Sequence, residues 1–476
     1  MFARLSRQLR HEVQSMELTK KISNPIFTNR DLVRLMIPMV IEQLLLMTVG
    51  MVDIMMVTSA GESVVSGVSL VDNINILIIN IFSALSTGGA VVVAQYLGRR
   101  EPENARSAAK QLLYAALLVS LTLMGAALLF REDILRLLFG DISQAVMDSA
   151  LVYFLLTAAA YPFIAIYNAG AALFRAMGNS KVSMINSLIV NVINIAVNAL
   201  LIYGFDMGAA GAGIGTLVSR VAAAVIIGVM ITRPHLQVYV EDLFRPRLQR
   251  KMVRAILRVG VPAGIENSMF QIGKLLVLRL VASFDVGVDL AVVGSSVAAN
   301  GICGSIAGFI NVPGQAVGLG MVTVVGQCMG AGDHGQAVDY TKKLMKVSYL
   351  AMAVTAGTLF VIAPYMVPLF NLSPATAAMS VQVLRWNAVF VIPFWPMSFT
   401  LPNALRSAGD AKFTMTVSLL SMWLCRICAS YLLGSAWGLN LGLLGVWLGM
   451  FADWIVRAVA FFLRFMGGKW KEHQVI

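Results

Sequence analysis

The sequence predicts an all-α integral membrane protein with twelve transmembrane helices arranged as two pseudo-symmetric six-helix bundles. Three observations carry this. Of 476 residues, 58% are hydrophobic and only 13% charged, where a soluble domain carries about a quarter charged, and the mean hydropathy is +0.79. Apolar runs long enough to cross about 30 Å of hydrocarbon, roughly 20 residues each, recur along the whole length. The chain also contains one ordered set of motifs twice.

The apolar runs fall at approximately 32–58, 65–97, 108–130, 147–174, 182–204, 209–232, 255–283, 290–328, 344–364, 376–405, 413–434 and 441–466. Their connections are short, so no soluble domain interrupts the bundle. Lys and Arg collect in alternate connections: Arg99, Arg100, Arg106 and Lys110; Arg175 and Lys181; Arg245, Arg247, Arg250, Lys251 and Arg254; Lys342, Lys343 and Lys346; Arg406 and Lys412. The tails are basic too, with Arg4, Arg7, Arg10, Lys20, Lys21 and Arg30 at one end and Lys469 and Lys471 at the other. The intervening loops carry almost none, apart from Arg131 and Arg136. The positive-inside rule then places both termini and the central linker in the cytoplasm of a cell-membrane protein. The net charge of +12 reads as topology and contact with anionic lipid, not as a nucleic-acid surface. The resulting division is a cytoplasmic tail at 1–31, a six-helix bundle at 32–233, a cytoplasmic linker at 234–254, a second bundle at 255–466 and a tail at 467–476.

The N-terminal stretch SRQLRHEVQSMELTKK is polar and lacks the apolar core of a signal peptide; it reads either as an amphipathic surface helix or as a solvated tail. Cys303, Cys328, Cys425 and Cys428 all fall in or at the ends of spans. Cys425 and Cys428 stand three apart with no His nearby, which reads as two small core residues and not a metal site. His11, His235, His334 and His473 lie in tails or loops. No GxxxxGK[ST] loop is present for an ATP-driven pump. The scattered membrane carboxylates, without a nucleophile–base pair, do not suggest an enzyme or a cofactor site.

The duplication is read in four places. Gln95, Gly98, Ala105 and Lys110 match Gln327, Gly330, Ala337 and Lys342 at one constant offset. Pro162, Phe163, Arg175, Gly178, Lys181 and Met184 match Pro393, Phe394, Arg406, Gly409, Lys412 and Met415. Before these, Pro38 and Glu42 match Pro262 and Glu266; after them, Gly208, Gly211 and Gly215 match Gly442, Gly445 and Gly449. Because six is even, both halves start on the same side, so the repeat is parallel and its pseudo-twofold axis lies along the membrane normal. Two such bundles suit alternating access by rocking about a central cavity.

Taken together, MVDIMMV in the first span, AQYLGRRE after the second, ALFRAMGNSK and ALRSAGDAK after the fourth and tenth, NIAVNALLIYG in the fifth and GAAGAGIGT opening the sixth resemble the multidrug and toxic compound extrusion (MATE) family over essentially the whole chain. The resemblance implies two bundles forming a V-shaped cleft. It also implies export of organic, often cationic, small molecules in exchange for H⁺ or Na⁺. Secondary transport of this kind needs no cofactor beyond the coupling ion, and nothing demands an oligomer, so a monomer in contact with membrane lipid is expected. A flippase for a lipid-linked saccharide shares the two-bundle plan and is the alternative.

An ionised carboxylate at a helix centre costs about 2.5–3.5 kcal/mol on insertion scales, so it faces a cavity or a partner. Asp53 matches the family aspartate that binds the coupling cation. Asn194 and Asn198 share one helix face in span five, and Thr216 lies in span six. With Asp53 they offer hard oxygens for Na⁺, or a single protonatable acid for H⁺. In the second half the position equivalent to Asp53 is Val277, and that of Asn194 falls on or beside Arg426, with Lys274 nearby. Fixed positive charges there repel a metal cation, so coupling is expected through the first half only. Phe270 and Trp395 stand where relatives with a C-terminal sodium site carry acids. Glu266, Lys274 and Arg426, with Gln271 near the same face, read as a charged network lining the substrate cleft or as a neutralised structural cluster. Glu42 reads as a second cleft carboxylate or as a helix-face acceptor, and Asp72 as lining the cavity or bonding a neighbouring helix. Asp453 and Arg457, four apart, read as an intrahelical pair.

Overall fold

The computed structural model describes residues 25–140, 142–241, 248–286, 294–370, 372–473 and 475–476, and these residues are helical wherever they are regular. The expected N-terminal surface helix and the basic residues Arg245 and Arg247 of the linker lie outside the described residues. Spans one to six are Asn29–Thr58, Glu62–Gly98, Pro102–Leu129, the pair Gln144–Ala159 and Tyr161–Ala176, Ser180–Gly204 and Gly208–Ile231. Spans seven to twelve are Arg250–Ser283, Ser296–Gly330, His334–Phe370, Pro374–Ser407, Ala411–Gly434 and Gly442–Met466.

Ten of these segments are long and apolar enough to cross a membrane unaided, and the pair forming span four, bent by 46°, makes an eleventh. The bend falls at Ala160 just before Pro162, whose ring removes a backbone donor from the continuing helix. Span seven, 34 residues long, carries Glu266, Lys274 and Arg279, of which Glu266 is buried and the other two are exposed. Sequence reading did not anticipate the short helix Arg131–Phe139, which carries both exceptions to the basic-loop pattern; there Glu132 pairs with Arg136 at 2.8 Å. Spans five, ten and eleven each contain a π-turn, at Leu200–Gly204, Pro396–Thr400 and Ser421–Ile427. Such insertions rotate the side chains that follow and gather at functional sites.

The first half has its own core, built around Val91, Val92, Phe154, Tyr161 and Phe174. The second half has another, around Val281, Cys303, Val391 and Phe451. A third cluster joins them: Leu32, Leu35, Met36 and Met39 of span one pack with Met321, Val324, Leu401 and Leu405 of the second half. That cluster lies at the end of the molecule where the basic residues and both tails collect, here called the basic end.

The hydrogen bonds linking the halves gather at the same end, and two of them are related by the pseudo-twofold. The Gln95 amide donates to the Ser407 carbonyl at 2.7 Å, while its repeat mate Gln327 donates to the Ala176 carbonyl at 2.9 Å. A methyl added at Gly98 would lie 2.0 Å from the Gln327 carbonyl oxygen, and one added at Gly330 would lie 1.9 Å from that of Gln95. Only residues without a Cβ let these two helices cross so closely. Thr323 adds a bond to the Arg175 carbonyl at 2.8 Å. Further along spans two and seven, Gly88 meets the backbone of Ile256 and Gly260. Among the described residues the hydrogen bonds between the halves stop there, although span one stays beside span eight further on, where a methyl added at Gly308 would lie 3.1 Å from the Met47 side chain.

The C-terminal tail is packed into this closed end. Trp470 is fully buried, stacks on Phe465 at 5.3 Å and donates its indole N–H to the Phe465 carbonyl at 2.9 Å. Trp470→Ala removes a large, closely packed side chain and is expected to cost about 3–5 kcal/mol, read as a lower thermal midpoint of the detergent-solubilised protein.

Candidate functional site

The first-half polar cluster is assembled by spans one, two, four, five and six. Asp53, half-buried near the end of span one remote from the basic end, accepts a hydrogen bond from the Asn198 amide at 2.9 Å. Asn198 also reaches the Asn194 carbonyl oxygen at 3.4 Å, and the Asn194 amide reaches the Ser219 hydroxyl at 3.5 Å. Both amides are buried, with Asn198 only 1% exposed. Gly215 makes room for them, because a methyl there would lie 1.8 Å from the Asn198 side-chain oxygen. The three residues expected beside Asp53 are thus in the same cluster, but only Asn198 bonds it directly. Thr216 is joined through its carbonyl, which accepts from Ser219 at 2.8 Å, and through a side-chain contact with Tyr153.

Asp72 belongs to this cluster and bonds a neighbouring helix. It accepts from the Tyr153 hydroxyl at 3.0 Å and from the Asn75 amide at 3.3 Å, and Asn75 in turn accepts from Tyr161 at 3.0 Å. Arg220 lies close enough to act on Asp53 electrostatically. Sequence reading passed over Tyr153, Tyr161 and Arg220. The signal available for Arg220 was its position one helical turn after Thr216, on the face that carries the cluster.

The second half is different. Lys274, Arg426 and Arg457 each place their charge over the single ring of Phe270, at 5.1, 5.2 and 5.4 Å. Asp453 is fully buried and pairs with Arg457 at 2.8 Å, as the spacing of four predicts, and it also accepts from the Ser421 hydroxyl. Arg426 is more loosely held, 3.9 Å from Asp453, with its Nε lacking a hydrogen-bond partner. Trp395 is buried against Gly314 and stacks on Phe399 at 5.1 Å.

The expected network of Glu266 with Lys274 and Arg426 does not form. Glu266 turns instead to Arg406 at 2.7 Å and the Ser418 hydroxyl at 2.7 Å, and it is only 7% exposed. Glu42, read as a cleft carboxylate, does the same in the first half: it pairs with Arg175 at 3.0 Å and Ser183 at 2.7 Å and is 2% exposed. The reason is the repeat itself, since Arg175 and Arg406 are equivalent and each reaches back from the end of its span to the equivalent glutamate. The two form a pair of clasps that neutralise buried acids. Gln271 takes no part in these contacts. The cysteine reading is corrected in part: Cys303 and Cys328 are core, whereas Cys425 is half-buried and Cys428 exposed.

Removing one partner of a clasp leaves a buried charge uncompensated, which costs about 3–5 kcal/mol. Arg406→Ala is therefore expected to destabilise the chain by that amount, and Glu266→Gln combined with Arg406→Gln to recover most of the loss. Thermal unfolding of the three proteins checks this.

Two like bundles joined by hydrogen bonds at one end, with a buried polar cluster in each, are the plan of a polytopic membrane protein built by duplication. The MatE family model matches residues 38–200 and again residues 262–432, once in each half. The chain belongs to the MATE family of multidrug efflux transporters. It is 26% identical over 443 residues to the uncharacterized transporter YisQ of Bacillus subtilis, covering 91% of this chain and 93% of that one. It is 25% identical over 453 residues to the probable multidrug resistance protein NorM of Thermotoga maritima, covering 94% of each. A solved outward-facing structure of a multidrug resistance MATE family transporter superposes with a TM-score of 0.83 at 20% identity, covering 92% of this chain and 96% of that one.

Proposed function

We propose that the chain is a secondary antiporter of the cell membrane, acting as a monomer, that exports small amphipathic organic molecules in exchange for H⁺ or Na⁺ bound at Asp53. The observation that carries this reading is the asymmetry of the repeat. Asp53 is held by Asn198 at 2.9 Å, while the equivalent position holds Val277, so the acid is no requirement of the fold. With the basic end in the cytoplasm, the cleft opens outward. Cation arrival from outside then neutralises Asp53, which alters its bond to Asn198 and the packing of span one on span five. Span one also enters the cluster shared by both halves, so a change at Asp53 has a mechanical route to the seal.

The test is uptake into proteoliposomes under an imposed pH or Na⁺ gradient, with the two gradients applied separately. Gradient-driven accumulation in one arm supports antiport and names the ion. Equal transport with and without both gradients would instead indicate facilitated passage and overturn the reading.

A further inference from the structure

The positive cluster of the second half exceeds the acid it surrounds. Three cations, Lys274, Arg426 and Arg457, gather over Phe270 beside one carboxylate, Asp453: Arg457 and Ser421 engage its Oδ1, while its Oδ2, without a hydrogen-bond partner, faces Arg426 at 3.9 Å. Arg426 is 7% exposed, its nearest acid is 3.9 Å away and its Nε is unpartnered. Lys274 forms no ion pair among the described residues, yet it sits in a membrane span, where an unpaired charge is costly. Its ammonium lies over the same ring as two buried guanidinium groups, so it points into the bundle, and it is also exposed. It lies ten residues beyond Gly264, where span seven still lies beside Ala84 of span two, which is about 15 Å further up the helix. This is beyond the hydrogen bonds that join the halves.

From this geometry we infer that Lys274 and Arg426 form an anion-binding subsite on the second-half wall of the cleft, and that the exported substrates include soluble organic oxyanions carrying an aromatic or apolar body. The inference rests on the transporter reading above and deepens it by naming a substrate class. A guanidinium fork and an ammonium suit a carboxylate, sulfonate or phosphate group. Phe270 and the neighbouring Phe399, edge-on at 6.2 Å, supply an aromatic floor. The acidic cluster at Asp53 and Asp72 occupies the opposite half, so a bound anion and the coupling cation are held apart and of opposite sign.

Two xanthene dyes of similar shape and opposite charge test this: fluorescein and rhodamine 6G, titrated by fluorescence anisotropy against the purified full chain in a non-ionic detergent. Fluorescein is expected to bind, to weaken as salt rises, to lose at least tenfold in affinity in Lys274→Gln and Arg426→Gln, and to recover in Lys274→Arg. Rhodamine 6G is expected to bind Lys274→Gln as well as, or better than, the unaltered chain. Equal losses for both dyes, or no loss for fluorescein, would overturn the subsite. Displacement of fluorescein by short-chain phosphatidylglycerol but not by phosphatidylcholine at the same concentration would overturn the soluble substrate in favour of a lipid headgroup. No gradient enters these titrations, so a failure of antiport leaves them readable, and a failure of dye binding leaves coupling at Asp53 standing.

Discussion

Asp53→Asn is expected to reduce gradient-driven transport in proteoliposomes to the level of empty liposomes, while the protein still purifies as a folded monomer. The amide has nearly the same shape as the acid and can still bond Asn198, so packing changes little. What is lost is the capacity to alternate between a charged and a neutral or cation-bound form, which on the proposed mechanism is the link between the gradient and the protein. A single cation moving with a 100 mV potential delivers about 2.3 kcal/mol. That suffices to bias a two-state equilibrium of a few kcal/mol by tens of fold. Binding of substrate without a gradient is expected to persist in this variant. Retention of full gradient-driven activity would remove Asp53 from the coupling mechanism.

The second large effect is expected at the helix crossing of the basic end. Gly98→Leu puts a side chain where even a methyl lies 2.0 Å from the Gln327 carbonyl oxygen, and backbone on both sides cannot give way without separating the helices. The closed arrangement at that end is therefore disfavoured by several kcal/mol, on the scale of severe overpacking. The chain is expected to expose the seal to water on the cytoplasmic side. A cysteine introduced in place of Thr323, in a background lacking the four natural cysteines, reports it. Labelling by a membrane-impermeant maleimide from the cytoplasmic face should be slow in the Gly98 chain and at least tenfold faster with Gly98→Leu. Equal labelling rates would mean that the crossing is not the gate.

Much of the fold was legible because membrane spans announce themselves twice, by length and by apolar content, and because the repeat fixes which features correspond. Asp53 with Asn198 was legible for the same reason: polar groups are so expensive in hydrocarbon that few are present, and those in one cluster stand out. The network predicted for Glu266 failed for a physical reason. Helix spacing places Glu266 and Lys274 on one face, but span eleven with its Ser418 and the far end of span ten with its Arg406 are separated from Glu266 by more than a hundred residues of sequence. Partner choice between two available cations is settled by which helix packs alongside, and a single sequence carries no direct record of that. The symmetry did contain the answer, since Glu42 is the repeat mate of Glu266 and Arg175 that of Arg406, so the two ion pairs are equivalent. Tyr153 and Tyr161 were missed because tyrosines are ordinary in membrane helices and acquire meaning only once Asp72 and Asn75 are placed opposite them.

The reciprocal bonds of Gln95 and Gln327 carry a consequence for how the transporter is controlled. Their acceptors are the main-chain oxygens of Ser407 and Ala176, and Thr323 likewise uses that of Arg175. None of these groups titrates, none carries a net charge and none depends on a metal. Each bond contributes about 0.5–1.5 kcal/mol, so three together make a latch strong enough to hold and weak enough to release within a working cycle. The inner latch is in this sense deaf to acidity and to ionic strength. On the coupling proposed for Asp53, the signal arises at the far end of span one and reaches the latch as movement of helices.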